Sequence, residues 1–333
     1  MNNTWLIDSP LDMHLHLRQG HMLDVVAPWS AKCFAGAVIM PNLVPPVTSV
    51  EMVVKYREEI LRSGNDDRFT PYMTLFFRDY SEAELIAARK HIIGIKLYPD
   101  GVTTNSESGI TDWRAYDHVL SIMEELSIPL LVHGETHGFV MDREREFMDT
   151  YQDMAQRHPR LKIIMEHITT REAVALLDRH VNLFATVTLH HLLLTLDDMA
   201  GGKLDPHLFC KPILKYPHDR EALQNAVLSG HSKIMFGSDS APHPIHQKEC
   251  CGCAAGVFSA PTALPVLADF FDRRGKPELL QKFVSDHARK IYGINPPAKR
   301  VSLTRQSWRV PDKIGEVVPY MAGKEIPWTA RPE

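Results

Sequence analysis

The chain has 333 residues, of which 44% are hydrophobic and 23% charged, so it can bury a large core. This composition excludes intrinsic disorder, collagen-like repeats and small disulfide scaffolds. With 37 basic and 41 acidic residues the formal net charge is −4, and no Lys/Arg block is long enough to bind nucleic acid or an anionic membrane. We therefore expect a small-molecule ligand.

The N-terminal segment and the cysteines predict a cytoplasmic location. The sequence MNNTWLIDSPLDMH carries acids and a proline where a signal peptide needs an unbroken apolar run, and no run approaches the ~18 apolar residues of a membrane span. The five cysteines are an odd number and are expected to be reduced. Three of them, Cys250, Cys251 and Cys253, could suggest a zinc knuckle, but no second cysteine pair completes four ligands, which favours reduced loop cysteines.

Short apolar or β-branched runs alternate with helical patterns along the chain. Strands are predicted near 12–16, 36–40, 70–77, 92–97, 129–133, 161–166, 182–188 and 233–238. Helices are predicted at 49–63, 81–90, 112–127, 144–158, 170–179 and 219–230, with N-caps at Ser81 and Thr111-Asp112 and a stop at Gly64. Apolar strands that alternate with helices indicate a parallel sheet covered on both faces. Eight such units predict a (β/α)8 TIM barrel.

Beyond the eighth strand the pattern changes. The segment 239–259 is a loop rich in Ser, Pro, His, Gly and Cys, and helical patterns follow at 261–273 and 277–292. A proline-punctuated tail begins near residue 295. Because neither an internal repeat nor a low-complexity linker interrupts the chain, we predict one domain over residues 1–333, with a helical extension and tail from about residue 260.

Residues that can bind metals stand at the carboxyl ends of several predicted strands. His14 and His16 are two apart on one strand and share a face, although a His-x-His pair alone is more often ordinary. Taken singly, Lys96 could be a surface lysine, His133 and His167 core histidines, and Asp239 a helix N-cap. Active sites of barrels form at this end of the strands, and the joint pattern predicts a metal site there. The other candidates are Lys96, His133, His167 and Asp239.

The donor types also indicate the kind of metal centre. Four imidazoles and one carboxylate without thiolates suit zinc or a similar divalent ion. A lysine among them is unexpected, because an ammonium repels metal ions. It fits if a buried, neutral Lys96 has reacted with CO₂ to form a carbamate whose two oxygens each hold one metal of a pair. Two bridged metals would share and acidify one water molecule.

These residues lie in motifs that resemble the amidohydrolase superfamily and, within it, the dihydroorotases of the short bacterial type. The resemblance implies a metal-dependent homodimer that reversibly cyclises N-carbamoyl-L-aspartate to L-dihydroorotate plus water, in de novo pyrimidine biosynthesis. The motifs are DMHLHLR at 12–18, MPNLVPP at 40–46, GIKLYP at 94–99, VHGE at 132–135, MEHIT at 165–169 and GSDSAPH at 237–243.

The resemblance also implies a role for each metal-site residue. His14 and His16 would bind the more buried of two zinc ions, and Asp239 would also ligate it. His133 and His167 would bind the second ion, while carboxylated Lys96 (N6-carboxylysine) and a hydroxide would bridge the two. In ring opening the hydroxide would attack the cyclic amide carbonyl, and Asp239 would move its proton to the leaving nitrogen as general base and acid.

The implied substrate keeps a carboxylate away from the reacting bond, so the enzyme needs an anion clamp. Arg18 lies on the same predicted strand face as His16 and offers a bidentate fork, although alone it could be a rim salt bridge. Asn42 and His243 match the family's other carboxylate partners. Further implied substrate contacts are His16 and His133 and, through the main chain, Lys211 and Ala255.

The segment 99–109 follows Lys96 and is polar with flanking glycines. It resembles the family's mobile lid, in which Thr103 and Thr104 would reach the substrate on closure. The alternative is a plain surface loop, because polarity alone does not show closure.

Three other functions remain open. A hydantoinase or allantoinase would share the binuclear site, but an anion clamp serves no purpose for an uncharged ring. A mononuclear enzyme similar to adenosine deaminase has no use for Lys96. A non-catalytic barrel scaffold usually lacks metal ligands, whereas all six positions are filled here.

Overall fold

The computed structural model describes residues 4–103 and 109–333. Its central sheet has eight parallel strands in the order β2 to β9. The strands of the chain are β1 (Thr4–Asp8), β2 (Leu11–Leu15), β3 (Gly36–Ile39), β4 (Thr70–Phe76), β5 (Gly94–Leu97), β6 (Leu130–Val132), β7 (Ile163–Met165), β8 (Leu183–Val187), β9 (Ile234–Phe236), β10 (Arg300–Thr304), β11 (Trp308–Arg309), β12 (Glu325–Ile326) and β13 (Thr329–Pro332). The predicted (β/α)8 barrel is confirmed, and each predicted strand overlaps one of β2 to β9.

Helices connect the barrel strands and cover the outside of the sheet. They are α1 (His21–Cys33), α2 (Val50–Gly64), α3 (Glu82–Ala88), α4 (Asp117–Leu126), α5 (Arg143–Arg157), α6 (Arg171–Leu177), α7 (Leu189–Leu193), α8 (Leu196–Ala200), α9 (Pro217–Leu228), α10 (Ile245–Lys248), α11 (Ala263–Arg273), α12 (Glu278–Gln281) and α13 (His287–Tyr292). A π-helical stretch, Lys282–Asp286, joins α12 to α13. Within the described ranges no helix is both long and apolar enough to cross a bilayer.

Local sequence explains several helix ends. Ser81 and Glu84 form the capping box of α3, and Asp112 accepts a hydrogen bond from the backbone of Arg114 at the 3₁₀ turn that precedes α4. Gly64 is the last residue of α2, and Asn65 after it adopts the left-handed conformation with φ of 49°. The predicted helix, which ends at residue 63 before the stop at Gly64, is therefore one residue too short at this end.

The barrel interior is filled by apolar side chains below the metal-binding residues. One buried cluster contains alternate residues of several strands, including Leu11, Met13, Leu131 and Ile164, packed against α13. Lys96 stands beside Leu131 in the strand register, so its side chain faces the same interior. Lys96 therefore lies in the interior near the carboxyl ends of the strands, and α13 closes the opposite end.

A β-bulge in β2 decides where the histidines point. Leu11 and Met13 belong to the interior cluster, but Leu15 belongs to the cluster between the sheet and the helices. The register to β3 shifts between Asp12 and Leu15, which reverses the alternation of faces. As a result, His14 follows Met13 into the barrel instead of pointing outward.

Hydrogen bonds between the ends of β2 and β9 close the barrel. The backbone N–H of Asp239 donates to the carbonyl of His14 at 2.8 Å, and that of His16 donates to the carbonyl of Ser240 at 3.1 Å. The buried Asp12 carboxylate accepts from the Ser238 backbone at 2.7 Å and from its hydroxyl at 2.5 Å. The first and last barrel strands are therefore joined beside the predicted metal ligands.

The sequence analysis did not predict the strands outside the barrel. β1 pairs antiparallel with β10, and β10 pairs with β13, so the segment treated as a tail forms a three-stranded sheet with the N-terminal strand. β11 and β12 form a second small ladder. The division into one domain over 1–333 with an extension from about 260 stays a prediction.

Candidate metal centre and substrate pocket

A small cavity opens at the carboxyl ends of the barrel strands. It is lined by five of the six predicted metal ligands, and Lys96 lies fully buried beside it. Predicted substrate residues also line it, and His243 contacts one of them, Arg18. Thr104 lies outside the described residues. The other lining residues from the prediction are Asn42, Thr103, Lys211 and Ala255.

The first group of possible ligand atoms belongs to the ends of β2 and β9. His14 Nε2 lies 3.3 Å from His16 Nε2 and 3.4 Å from Asp239 Oδ1, and His16 Nε2 lies 3.1 Å from the same oxygen. All three side chains are buried. Two imidazole nitrogens and a carboxylate oxygen that converge in this way could hold one divalent cation.

A second group lies directly beside the first. His133 Nδ1 and His167 Nε2 are 3.1 Å apart, and the rings of His14 and His167 have centroids 5.0 Å apart. Burial lowers the pKa of both His133 and His167, so both rings are neutral at neutral pH, as metal ligands must be. The two groups are close enough for a pair of neighbouring ions.

Lys96 Nζ is the most unusual polar atom of the site. The residue has no exposed surface, and within the described part of the chain Nζ has no hydrogen-bond partner. Nζ lies over the Tyr98 ring, 4.8 Å from its centroid. Burial lowers the pKa of Lys96 to about 8. Carboxylation by CO₂ requires an amine that can lose its proton, and the lowered pKa makes this possible for Lys96. The reaction would also give the buried group polar atoms that can find partners.

Two buried glutamates orient the imidazoles, and the sequence analysis did not predict this role. Glu166 Oε2 lies 2.7 Å from His14 Nδ1 and also accepts from the Thr186 hydroxyl at 2.6 Å. Glu135 Oε2 lies 2.7 Å from His133 Nε2. These contacts leave Nε2 of His14 and Nδ1 of His133 facing the cavity. Glu166 lies in the MEHIT motif and Glu135 in the VHGE motif. In each motif the glutamate is within two residues of a predicted ligand histidine, and this spacing is the sequence signal for an orienting role.

Three site residues have backbone conformations that favour glycine. The φ angles are 59° at Arg18, 41° at His167 and 44° at Asp239. Left-handed conformations at non-glycine residues carry strain and concentrate at functional sites. Here each residue immediately follows or lies near a strand end, and the turn aims its side chain over the barrel mouth.

Electrostatics keep Asp239 ionised and His16 neutral. Burial alone would raise the pKa of Asp239, but the hydrogen bond from His16 and the electrostatic interaction with the neighbouring imidazoles hold it below its usual range. Burial lowers the pKa of His16 to about 4 against the opposing effect of Asp239. The pair therefore offers an anionic oxygen beside a neutral imidazole, which suits cation binding and proton transfer.

Arg18 and His243 form a cationic edge of the cavity. Arg18 donates from Nε to the carbonyl of Pro242 at 3.0 Å and from Nη2 to His243 Nε2 at 2.8 Å. The hydroxyl of Tyr56 donates to the Arg18 carbonyl at 2.7 Å, and His243 Nε2 is 3.0 Å from the Ala255 carbonyl. This fixed guanidinium can accept an anionic group of a ligand in the cavity.

The five cysteines carry free thiols. Cys250 and Cys251 are exposed, and Cys253 is partly buried.

Sequence and structure comparisons agree with this geometry. The amidohydrolase family profile matches residues 6–297. A dihydroorotase of Helicobacter hepaticus is 42% identical over 342 aligned positions, covering 100% of this chain and 99% of the relative. A crystal structure of a Campylobacter jejuni dihydroorotase has 51% identity and a TM-score of 0.94, covering 99% of this chain and 98% of that one. A Saccharomyces cerevisiae dihydroorotase in complex with 5-fluoroorotic acid has 33% identity, a TM-score of 0.93 and 99% coverage of both chains. The chain belongs to the amidohydrolase family and, within it, to the dihydroorotases.

Proposed function

We propose that the protein reversibly converts N-carbamoyl-L-aspartate to L-dihydroorotate and water, the ring-closing step of de novo pyrimidine biosynthesis. The observation that carries this proposal is one cavity in which two groups of converging metal ligands face the Arg18 guanidinium. The names of near full-length relatives at 42% and 51% identity support it.

The donor set fits two divalent ions. His14, His16 and Asp239 would hold one ion, and His133 and His167 would hold the other. Their imidazole and carboxylate atoms suit zinc. When bound, the ions supply Lewis-acid activation of water and of the amide carbonyl.

Carboxylated Lys96 would bridge the two positions. The neutral Nζ would attack the carbon of CO₂ to form an N–C bond, and one N–H proton would leave to solvent. The product is a carbamate anion with two oxygen donors in place of a buried amine that has no hydrogen-bond partner among the described residues. The pKa of Lys96, lowered to about 8 by burial, makes the reactive neutral form accessible near neutral pH.

Asp239 would carry the proton. During ring opening its carboxylate accepts a proton from the attacking water, while the remaining oxygen bonds to the carbonyl carbon. The same carboxyl group then donates this proton to the ring nitrogen as the C–N bond breaks. Ring closure reverses these steps and releases water.

The substrate carboxylate would bind at Arg18, with Asn42 and His243 beside it. Main-chain groups of Lys211 and Ala255 would contact the rest of the ring, and Thr103 with Thr104 would form part of a closing lid. A hydantoinase acts on an uncharged ring, for which a half-buried guanidinium at this position offers no advantage. The clamp therefore favours the anionic substrate over this alternative.

The decisive assay follows ultraviolet absorbance when zinc-loaded protein meets L-dihydroorotate, hydantoin or dihydrouracil in parallel. Loss of the dihydroorotate signal alone supports the proposal. Turnover of only the neutral rings would contradict the clamp, and inactivity on all three, with two metals bound per chain, would favour a scaffold.

Three further parts of the proposal have separate tests. Growth in ¹³C-bicarbonate should give a carbamate carbon resonance that is absent from Lys96→Met. Size-exclusion chromatography with light scattering should give a homodimer, and fractionation should recover the protein in the cytoplasm.

A further inference from the structure

A buried lysine contacts two loops that contribute residues to the substrate pocket, and it has no role in the chemistry proposed above. Lys248 is the last residue of α10, in the loop region that follows β9, and only 3% of its surface is exposed. Its ammonium donates to the carbonyl oxygens of Phe209 at 3.0 Å, Ala254 at 2.8 Å and Gly256 at 2.8 Å. The three N–H donors of a lysine are thus matched by three carbonyl acceptors.

These acceptors belong to two separate loops. Phe209 lies in the connection between β8 and β9, whereas Ala254 and Gly256 lie in the connection after β9. The same Phe209 carbonyl also accepts from the backbone N–H of Gly256 at 2.8 Å. Lys248 therefore joins two loops that also meet through this backbone hydrogen bond, through His207 Nε2 and Glu249 Oε1 at 2.9 Å, and through Cys253 Sγ and the Pro206 carbonyl at 3.6 Å.

Both loops place a main-chain segment at the cavity. Lys211, two residues after Phe209, and Ala255, between the two other acceptors, line the pocket. The Ala255 carbonyl lies 3.0 Å from His243 Nε2, which in turn is 2.8 Å from Arg18 Nη2. A change in the position of residues 254–256 is therefore transmitted directly to the cationic edge of the site.

The far side of the 209–212 segment is held independently. The Pro212 carbonyl accepts from His191 Nε2 at 2.8 Å and from Cys210 Sγ at 3.3 Å. The second ring nitrogen of His191 lies 2.8 Å from the Thr188 hydroxyl. With this side fixed to the barrel, Lys248 and the backbone hydrogen bond from Gly256 to Phe209 tie the 254–256 segment to it.

We propose that Lys248 is a positioning residue, whose buried ammonium holds the two loops together so that the main chain at Lys211 and Ala255, and through Ala255 the His243–Arg18 pair, fits the substrate. This inference rests on the proposed function for its substrate. Replacing the ammonium removes the Lys248 donor from the carbonyls of Ala254 and Gly256 and leaves the Phe209 carbonyl with the Gly256 N–H alone, so the loops should separate. The contacts affected lie away from the reacting bond and act equally on ground and transition states, so KM should change more than kcat.

The test compares Lys248→Met with Lys248→Arg, which keeps the cation and its donors, and with Lys203→Met, a matched control at an exposed lysine of the β8–β9 connection. For Lys248→Met we expect KM for L-dihydroorotate to rise at least tenfold, with kcat within threefold and metal content unchanged. Lys248→Arg should recover most of this loss, and Lys203→Met should match the wild type. A KM within twofold of wild type in Lys248→Met, or a loss confined to kcat, would overturn the proposal.

Hydrogen exchange supplies a readout that does not depend on the substrate. Amides of residues 254–257 should exchange at least tenfold faster in Lys248→Met, while those of the barrel strands stay unchanged. Unchanged exchange at 254–257 would overturn the loop contact. If the wild type is inactive on dihydroorotate but exchange still accelerates, the proposed function fails while the link between the loops stands. Should Lys248→Met not fold, Lys248→Gln, which is polar but shorter, is held to the same criteria.

Discussion

Replacing Arg18 by Met tests the anion clamp most directly. The guanidinium is half-buried and already oriented by the Pro242 carbonyl and His243, so little reorganisation is needed when a carboxylate binds. A hydrogen bond to a charged group contributes about 1.5–3 kcal/mol, and a bidentate pair about 3–5 kcal/mol in total. At about 1.4 kcal/mol per factor of ten, KM for L-dihydroorotate should rise roughly 10²- to 10⁴-fold.

Steady-state ultraviolet assays at constant zinc would measure this change. Because the carboxylate is remote from the scissile bond, kcat should fall far less than KM rises. Arg18→Lys keeps the charge but loses the planar fork, so its KM should lie between the two. Arg171→Met removes a surface arginine paired with Glu172 and serves as the control. A KM for Arg18→Met within fivefold of wild type, or a loss only in kcat, would refute the assignment of Arg18 to the substrate carboxylate.

Other predictions concern the proton carrier, the orienting carboxylates and pH. Asp239→Asn should lower kcat by roughly 10²- to 10⁴-fold; the result counts against a proton-transfer role if kcat persists at wild-type metal content. Glu135→Gln should weaken metal binding about 10- to 100-fold in chelator competition, whereas Glu221→Gln on the surface of α9 should not. Burial, and then the nearby positive charges, lower the pKa of His243 from 6.5 to about 3, so the native imidazole binds fewer protons than the unfolded one and its contribution to stability falls as the pH drops below 6.5. His243→Gln should therefore gain Tm relative to wild type between pH 7 and pH 5, and a constant difference would contradict this sign. Because ring closure consumes one proton, the equilibrium ratio of dihydroorotate to carbamoyl aspartate should fall about tenfold per pH unit above the carboxyl pKa, and a ratio independent of pH would exclude this stoichiometry.

The barrel could be predicted because its strands are buried on both faces. Such strands give continuous apolar runs in the sequence, and the helices between them have a clear amphipathic period. The predicted strands were often longer than the observed ones. The run 129–133, for example, was predicted to end at His133, whereas β6 ends at Val132. The last residue of such a run already leaves the sheet to reach the cavity.

Features that depend on contacts distant in sequence were not predicted. The bulge in β2 is set by pairing with β3, so no local pattern indicates that His14 follows Met13 to the same side. Glu166 lies within a recognised motif, but the residue that it contacts, His14, is 152 positions away in the sequence. α1 is absent from the predicted helices; it contains Pro28, a residue that disfavours a helix interior.

The metal ligands themselves were easier to find than the substrate contacts. His14, His16, His133, His167 and Asp239 each lie at or shortly after the end of a strand, and all barrel strands end on the same side. No comparable rule predicts where residues on loops lie relative to the site. Lys248, for example, looks like an ordinary surface lysine in the sequence, yet three backbone carbonyls surround it.

The pairing of β1 with β10 has a consequence for the order of events during synthesis. Thr4 pairs with Thr304, and Trp5 stacks near Trp328 with ring centroids 4.4 Å apart. Because β1 is synthesised long before β10, it has to wait for β10 before it finds this partner. Contacts within the barrel link neighbouring segments and can form earlier. We expect β1 to be among the last strands to become ordered, so that chaperones would meet a nascent barrel with β1 still exposed.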